Sequence, residues 1–272
     1  MLYIKKLKKN EKLKMEAVET LPNSDKIMMP HLFLGSYCIM PMARKMVTYQ
    51  RPDIEQLTDV LKLWYRQTTS SYSEGIYSFA RHGRTSKKGN QTFYSYLKQE
   101  LDDLWMKTSI KNTYKGMAEL ALEMWLMGYE KYKDTFFWSY NYLHGDLHSG
   151  NIVSFCGLYR LIDWENLRSG PKELELSFYL CWDYFRWHNP QDSLNKMLAE
   201  IEVFKSKMLL RTDEIERILY CLIPMWMLLI TIYLNNGNLL FEQERTAVCQ
   251  ELIPLYYRTI FKSGLESGKR NE

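Results

Sequence analysis

From Asp53 to the carboxyl end, apolar residues recur at three- and four-residue steps, the period of one helical face. Ile54, Leu57, Val60, Leu61 and Trp64 form the first stripe, with Pro52 and Asp53 as its start signal. Phe93 to Met106 and Met117 to Tyr132 carry two more; the stretch from Phe79 to Gln91, with Arg81, Arg84, Lys87, Lys88 and two glycines, reads as an exposed loop. Beyond Gly170-Pro171, read as a turn, a helix runs from about Glu175 through Phe178, Trp182, Phe185 and Trp187. Further helices are predicted over Gln191 to Leu209, Asp213 to Leu234 and Gln243 to Lys262. The front of the chain differs. Leu2-Tyr3-Ile4-Lys5 reads as a strand, Lys14 to Val18 as helix, and His31 to Leu34 and Tyr37 to Met40 as two strands about Gly35, with Pro41-Met42-Ala43 as the connection onward. A further β signal lies at Asn151 to Phe155 and Gly157 to Ile162, where apolar and β-branched residues flank Cys156-Gly157 as in a hairpin.

Composition narrows the class. With 272 residues, 46% hydrophobic and 25% charged, the chain can bury a sizeable core and is not disordered. A net charge of +4 is too mild to imply nucleic acid or an anionic membrane, and six of the lysines fall within the first fourteen residues. The five cysteines have irregular spacing and no Cys-x-x-Cys pair, which fits reduced thiols in a cytoplasmic protein. No apolar signal core follows the basic start. Ile218 to Leu234 is seventeen residues without a charge, shorter than a typical membrane span and interrupted by Pro224; it reads as a buried helix.

The chemistry concentrates between His144 and Glu165. The string His144-Gly145-Asp146-Leu147-His148-Ser149-Gly150-Asn151 is followed by Leu161-Ile162-Asp163-Trp164-Glu165. An aspartate, an asparagine five residues on, and a second aspartate twelve residues later match the spacing used for phosphoryl transfer. That reaction asks for positioning and charge neutralisation. Asp146 can take the proton of an acceptor hydroxyl. Asn151 and Asp163 offer an amide oxygen and a carboxylate to Mg²⁺, a hard ion that prefers oxygen. His144 and His148 flank Asp146 and invite a zinc reading, but His31, His82 and His188 join them in no ligand-like cluster.

In this form, with Gly145 in place of the protein-kinase arginine and Asp-Trp-Glu in place of Asp-Phe-Gly, the string resembles the aminoglycoside phosphotransferase and choline kinase family. The resemblance implies an α+β, protein-kinase-like fold of two lobes. An abbreviated β-rich lobe would span residues 1–43, and a large helical lobe with the catalytic loop residues 44–272. It implies ATP and Mg²⁺ as cofactors and an alcohol group on a small molecule as acceptor. Lys5, with Lys6 as the alternative, would meet the phosphates; Glu16 would hold that lysine; Met40 and Met42 would lie near the nucleotide. His144 would support the loop, and Glu175, in Glu175-Leu176-Ser177, would brace it where the family has Asp-Leu-Ala. The strands and glycine-rich turn that normally cover the phosphates have no counterpart before Lys5. Two readings follow: a phosphotransferase, or a non-catalytic binding or scaffold protein on the same fold, with spore-coat-associated relatives among the possibilities. Trp164, Trp182 and Trp187 would suit a choline-like amine alcohol through cation–π contacts, although aromatics at helical spacing belong first to the core. Glu165 and Asp183 would suit an aminoglycoside.

Overall fold

Alternate positions of the third strand are buried, and they set the inner face of a small amino-terminal sheet. The computed structural model describes residues 2–45, 52–70, 112–136, 140–185, 193–235 and 242–267. Strand β1 (Leu2–Lys6) is followed by helix α1 (Lys9–Glu19), and then by β2 (Leu32–Leu34) and β3 (Tyr37–Pro41). The sheet order is β1-β3-β2, antiparallel throughout, with Lys5 opposite Cys38 and Tyr3 opposite Met40. A period of two sends Lys5, Cys38 and Met40 to one face, where Cys38 and Met40 are buried. Leu2, Ile4, Leu32, Leu34 and Tyr37 stay exposed on the other.

Two further sheets frame the string from His144 to Glu165. Strand β4 (Arg44–Lys45) pairs with β6 (Ile152–Phe155), which pairs with β7 (Leu158–Leu161) through the expected Cys156-Gly157 turn. Strand β5 (Tyr140–Leu143) pairs antiparallel with β8 (Arg168–Pro171). Gly170-Pro171 is therefore extended strand rather than a turn. Pro171 lies at the strand's last position in a ribbon of two strands, where its missing N–H interrupts no central ladder.

The helices are α2 (Ile54–Ser70), α3 (Asn112–Phe136), α4 (Lys172–Phe185), α5 (Ser193–Met208), α6 (Thr212–Asn235) and α7 (Glu242–Ser267). Asp53 caps α2, its Oδ1 accepting the N–H groups of Glu55 and Gln56 at 2.9 and 3.1 Å. Helix α6 holds the uncharged stretch and packs against α3, α4 and α7 with Ile218, Cys221, Leu222, Ile223 and Trp226 fully buried. No described helix is long and apolar enough to cross a membrane. A buried ion pair joins α6 to α4: Arg217 Nε and Nη2 donate to Glu173 Oε1 at 2.9 and 2.7 Å. Gly128 of α3 lets Tyr220 of α6 approach, since a Cβ there would stand 1.9 Å from the Tyr220 ring. The predicted loop at 79–91, the helix at 93–106 and Trp187 lie outside the described residues.

Candidate active site

Strand β5 delivers the chain into the string that starts at His144, and buried groups hold it from behind. The His144 ring is fully buried, and its Nε2–H donates to the Ile162 carbonyl at 2.8 Å. A carbonyl only accepts, so Nε2 carries the ring proton. Burial pushes the imidazole down to about 4, only partly offset by that hydrogen bond. The ring packs on Trp164 at 4.6 Å, and Trp164 on Trp64 at 5.0 Å. Trp164, 1% exposed, is thus part of the core.

Gly145 follows with φ of +83°, a conformation glycine adopts without strain. A Cβ there would lie 2.0 Å from the Asn166 carbonyl oxygen, so the close approach also excludes a side chain. The Gly145 N–H donates to Glu175 Oε1 at 2.8 Å, and the Tyr65 hydroxyl donates to Glu175 Oε2 at 2.7 Å. Burial, then the carboxylate of Glu175, raise the Tyr65 phenol well above its ordinary value. Three residues past Asp146, the Ser149 N–H donates to Asp183 Oδ1 at 3.0 Å. Asp183, read from the sequence as a contact for an acceptor, is buried behind the loop.

Asp146 and Asn151 meet directly. Asn151 Nδ2 donates to the Asp146 carbonyl at 2.9 Å and to Asp146 Oδ2 at 3.3 Å. Both partners are acceptors, so the amide nitrogen faces them and Asn151 Oδ1 is turned away, with no donor among the described residues. Asn166 Nδ2 adds a weak donor to Asp146 Oδ2 at 3.5 Å.

The second cluster joins β1, α1 and the end of β7. Lys5 Nζ donates to Glu11 Oε1 at 2.7 Å and to Asp163 Oδ1 at 2.8 Å. Burial lowers the ammonium's affinity for its proton, but the bonds to Asp163 and Glu11 outweigh it and raise Lys5 above its ordinary value. Lys6 points to the other face and is exposed, so register selects Lys5. The partner differs from the expected one. Glu16 sits 3.7 Å from Lys12 with its side chain 44% exposed, whereas Glu11 is 2% exposed. Five residues turn the helix by about 140°, so the two glutamates cannot share a face. Helix α1 begins at Lys9, which puts Glu11 in its first turn beside Lys5.

Lys5, Glu11, Met28, Met40, Leu161 and Asp163 line a small cavity. Met40 belongs to it; Met42 does not line it and is 55% exposed. Asp163 has φ of +67°, a left-handed conformation held at the start of the Trp164–Asn166 turn. Carboxylate oxygens of Glu11, Asp163 and Glu165 lie within 4.8 Å of one another. Glu165 is also met by Lys8 Nζ at 2.7 Å. Glu11 and Asn166 were not anticipated, and Asp183 was anticipated in a different role; only α1's start position could have pointed to Glu11.

No family model and no curated protein matches the sequence. Solved structures do. A choline/ethanolamine kinase family protein from Mesorhizobium loti is 13% identical with a TM-score of 0.58, over 95% of this chain and 85% of that one. An aminoglycoside phosphotransferase from Alicyclobacillus acidocaldarius is 14% identical with a TM-score of 0.57, over 96% and 86%. An amicoumacin kinase, solved with AMP-PNP and Ca²⁺, is 13% identical with a TM-score of 0.57, over 96% and 81%. The chain has the α+β, kinase-like fold of the aminoglycoside phosphotransferases and choline/ethanolamine kinases.

Proposed function

We propose that the chain transfers the γ-phosphoryl group of ATP to a hydroxyl of a small molecule. The observation that carries this is the convergence of Lys5, Glu11 and Asp163 in one ion-paired cluster, while the separate string supplies Asp146 bonded to Asn151. Lys5, oriented by its two carboxylates, meets the phosphates. Asp146 takes the acceptor's proton as the new P–O bond forms and the bond to the β-phosphate breaks. Donors on its Oδ2 hold the carboxylate in place. The oxygen atoms suit Mg²⁺: Asn151 Oδ1 is turned away from its protein partners, and Asp163 Oδ2 lies beside the oxygen that Lys5 occupies. When bound, the ion supplies neutralisation of phosphate charge. Kinases of ethanolamine, choline and antibiotics with this fold support an amine alcohol or an aminoglycoside as the acceptor class.

The test is thermal unfolding with and without Mg·ATP, beside Asp163→Asn and Asp146→Asn. A ligand at a hundred times its dissociation constant stabilises by about 2.7 kcal/mol, a midpoint rise of roughly 5–10 °C. The rise is expected in the unmodified chain, lost in Asp163→Asn and kept in Asp146→Asn, which loses transfer. No rise in the folded, unmodified chain overturns the proposal. A rise without transfer to any choline-like or aminoglycoside acceptor would instead support a binding protein.

A further inference from the structure

His148 takes no part in the reaction as drawn, yet the loop is built around its ring. Its Nε2 stands 3.8 Å from Asp146 Oδ1. Its other nitrogen, Nδ1, accepts the Gly150 N–H at 3.0 Å. A ring nitrogen that accepts carries no proton, so the neutral ring has its proton on Nε2, the atom facing Asp146.

Two neighbours secure that arrangement independently. A Cβ on residue 150 would lie 2.8 Å from His148 Cε1 and 2.9 Å from Nδ1, so a side chain there would push the ring away. The peptide between them is anchored too, because the Ser149 N–H donates to Asp183, a residue of α4 that is 6% exposed. Asn151 and Asn166 meet the Oδ2 side of Asp146, and His148 is the ring donor that faces Oδ1.

We propose that His148, set by Gly150 and backed by Asp183, is a positioning residue for Asp146: its Nε2–H turns the carboxylate toward the acceptor hydroxyl. This rests on the phosphotransferase reading above. At 3.8 Å the contact is longer than a hydrogen bond; catalytic contacts commonly tighten in the loaded enzyme. The role is orientation and not proton relay, since Nε2 already holds the ring's proton and Nδ1 is occupied by Gly150. The proton from the acceptor stays on Asp146 until solvent takes it.

Three substitutions separate positioning from loop structure. In His148→Gln the terminal amide reaches about as far as Nε2 and restores a donor toward Asp146. In His148→Asn the side chain reaches only the Nδ1 position, keeping the Gly150 contact alone. His148→Ala removes both. The assay is ADP formation from Mg·ATP, first with water as acceptor and then with choline and kanamycin added as hydroxyl probes. Misplacing a reacting group by about 1 Å can cost a hundredfold. His148→Ala and His148→Asn should lose about tenfold to a hundredfold in kcat with KM for ATP within about twofold, and His148→Gln should recover most of the loss. A structural role would reverse the order, with Asn better than Gln and KM altered. Either that reversal or an unchanged kcat in His148→Ala overturns the proposal.

The tautomer is measured separately on ¹⁵N-histidine-labelled protein by long-range proton–nitrogen correlation. Protonated Nε2 with bare Nδ1, lost in Gly150→Ala, is the expected result; protonated Nδ1 overturns the proposal whatever the kinetics. Should the unmodified chain neither bind Mg·AMP-PNP nor form ADP, the phosphotransferase reading falls, and the tautomer decides this one alone.

Discussion

Glu11 and Glu16 lie on the same helix and differ in what they touch, so exchanging each for glutamine tests the arrangement around Lys5. Glu11 is buried with Oε1 2.7 Å from Lys5 Nζ. Removing one partner of a fully buried ion pair costs about 3–5 kcal/mol because the other charge is stranded. Lys5 is not stranded: its side chain is 27% exposed and Asp163 remains at 2.8 Å. Glutamine also keeps an oxygen that can accept from Lys5. The loss falls to that of a charged hydrogen bond, about 1.5–3 kcal/mol. Relief of repulsion among Glu11, Asp163 and Glu165 draws it toward the lower end. Glu16, 3.7 Å from Lys12 on an exposed face, offers an (i, i+4) pair worth about 0.3–0.5 kcal/mol. Urea unfolding at neutral pH should therefore separate the variants by about 1 kcal/mol or more, with unchanged m-values. Glu11→Gln should also raise the KM for Mg·ATP, while Glu16→Gln leaves it unchanged. Equal destabilisation by the two, or a larger effect from Glu16→Gln, would refute the pairing of Lys5 with Glu11.

Two other predictions concern the catalytic string. Burial holds His144 at about 4, below the ordinary 6.5, so the unfolded chain binds a proton more readily between those values. Stability from this residue is complete above pH 6.5 and is lost as pH falls toward 4, by about 3 kcal/mol across the window. Unfolding free energies at pH 7 and 4.5 should diverge more in the unmodified chain than in His144→Asn, and parallel curves would contradict this. Glu175 accepts from both Gly145 and Tyr65. In Glu175→Gln, either orientation of the amide sets an NH₂ against one of those donors. The cost is about 1–3 kcal/mol with reduced turnover, read by urea unfolding and ADP formation; an unaffected variant would show that the brace is dispensable.

What was legible in the sequence follows from how local each arrangement is. Asp146, Asn151 and Asp163 sit in one loop and the hairpin after it, so their spacing alone brings the first two into contact and carries the third back along β7. Lys5 and Lys6 were not separable from the sequence, because a one-residue slip exchanges their faces; the pairing of β1 with β3 sets Lys5 beside Asp163. The glutamate partner of Lys5 was not legible either, because the choice between Glu11 and Glu16 depends on where α1 begins, and Lys8 at the start makes no side-chain cap to announce it. Strand β8 was misread because its pairing with β5 bridges residues far apart in sequence, and Gly170-Pro171 locally signals a turn.

Asp183 shows the deeper reason. Set among the aromatic residues at the end of α4, it resembled a ligand contact; its contact with the loop is visible only once α4 lies behind it. Glu175 and Asp183 are eight residues apart, within about 80° on the helix, and reach the N–H groups of Gly145 and Ser149 on either side of Asp146. With His148 receiving the Gly150 N–H, three backbone donors of the loop end on side chains. Regular secondary structure would have satisfied those donors along the backbone, and would have left Asp146 on a strand or helix with a prescribed direction. A loop satisfied by buried carboxylates keeps its backbone irregular and still rigid, so the carboxylate of Asp146 can be aimed by its neighbours. Loosening either brace should therefore lower turnover before it lowers nucleotide affinity, since Lys5, Glu11 and their cavity lie on other elements.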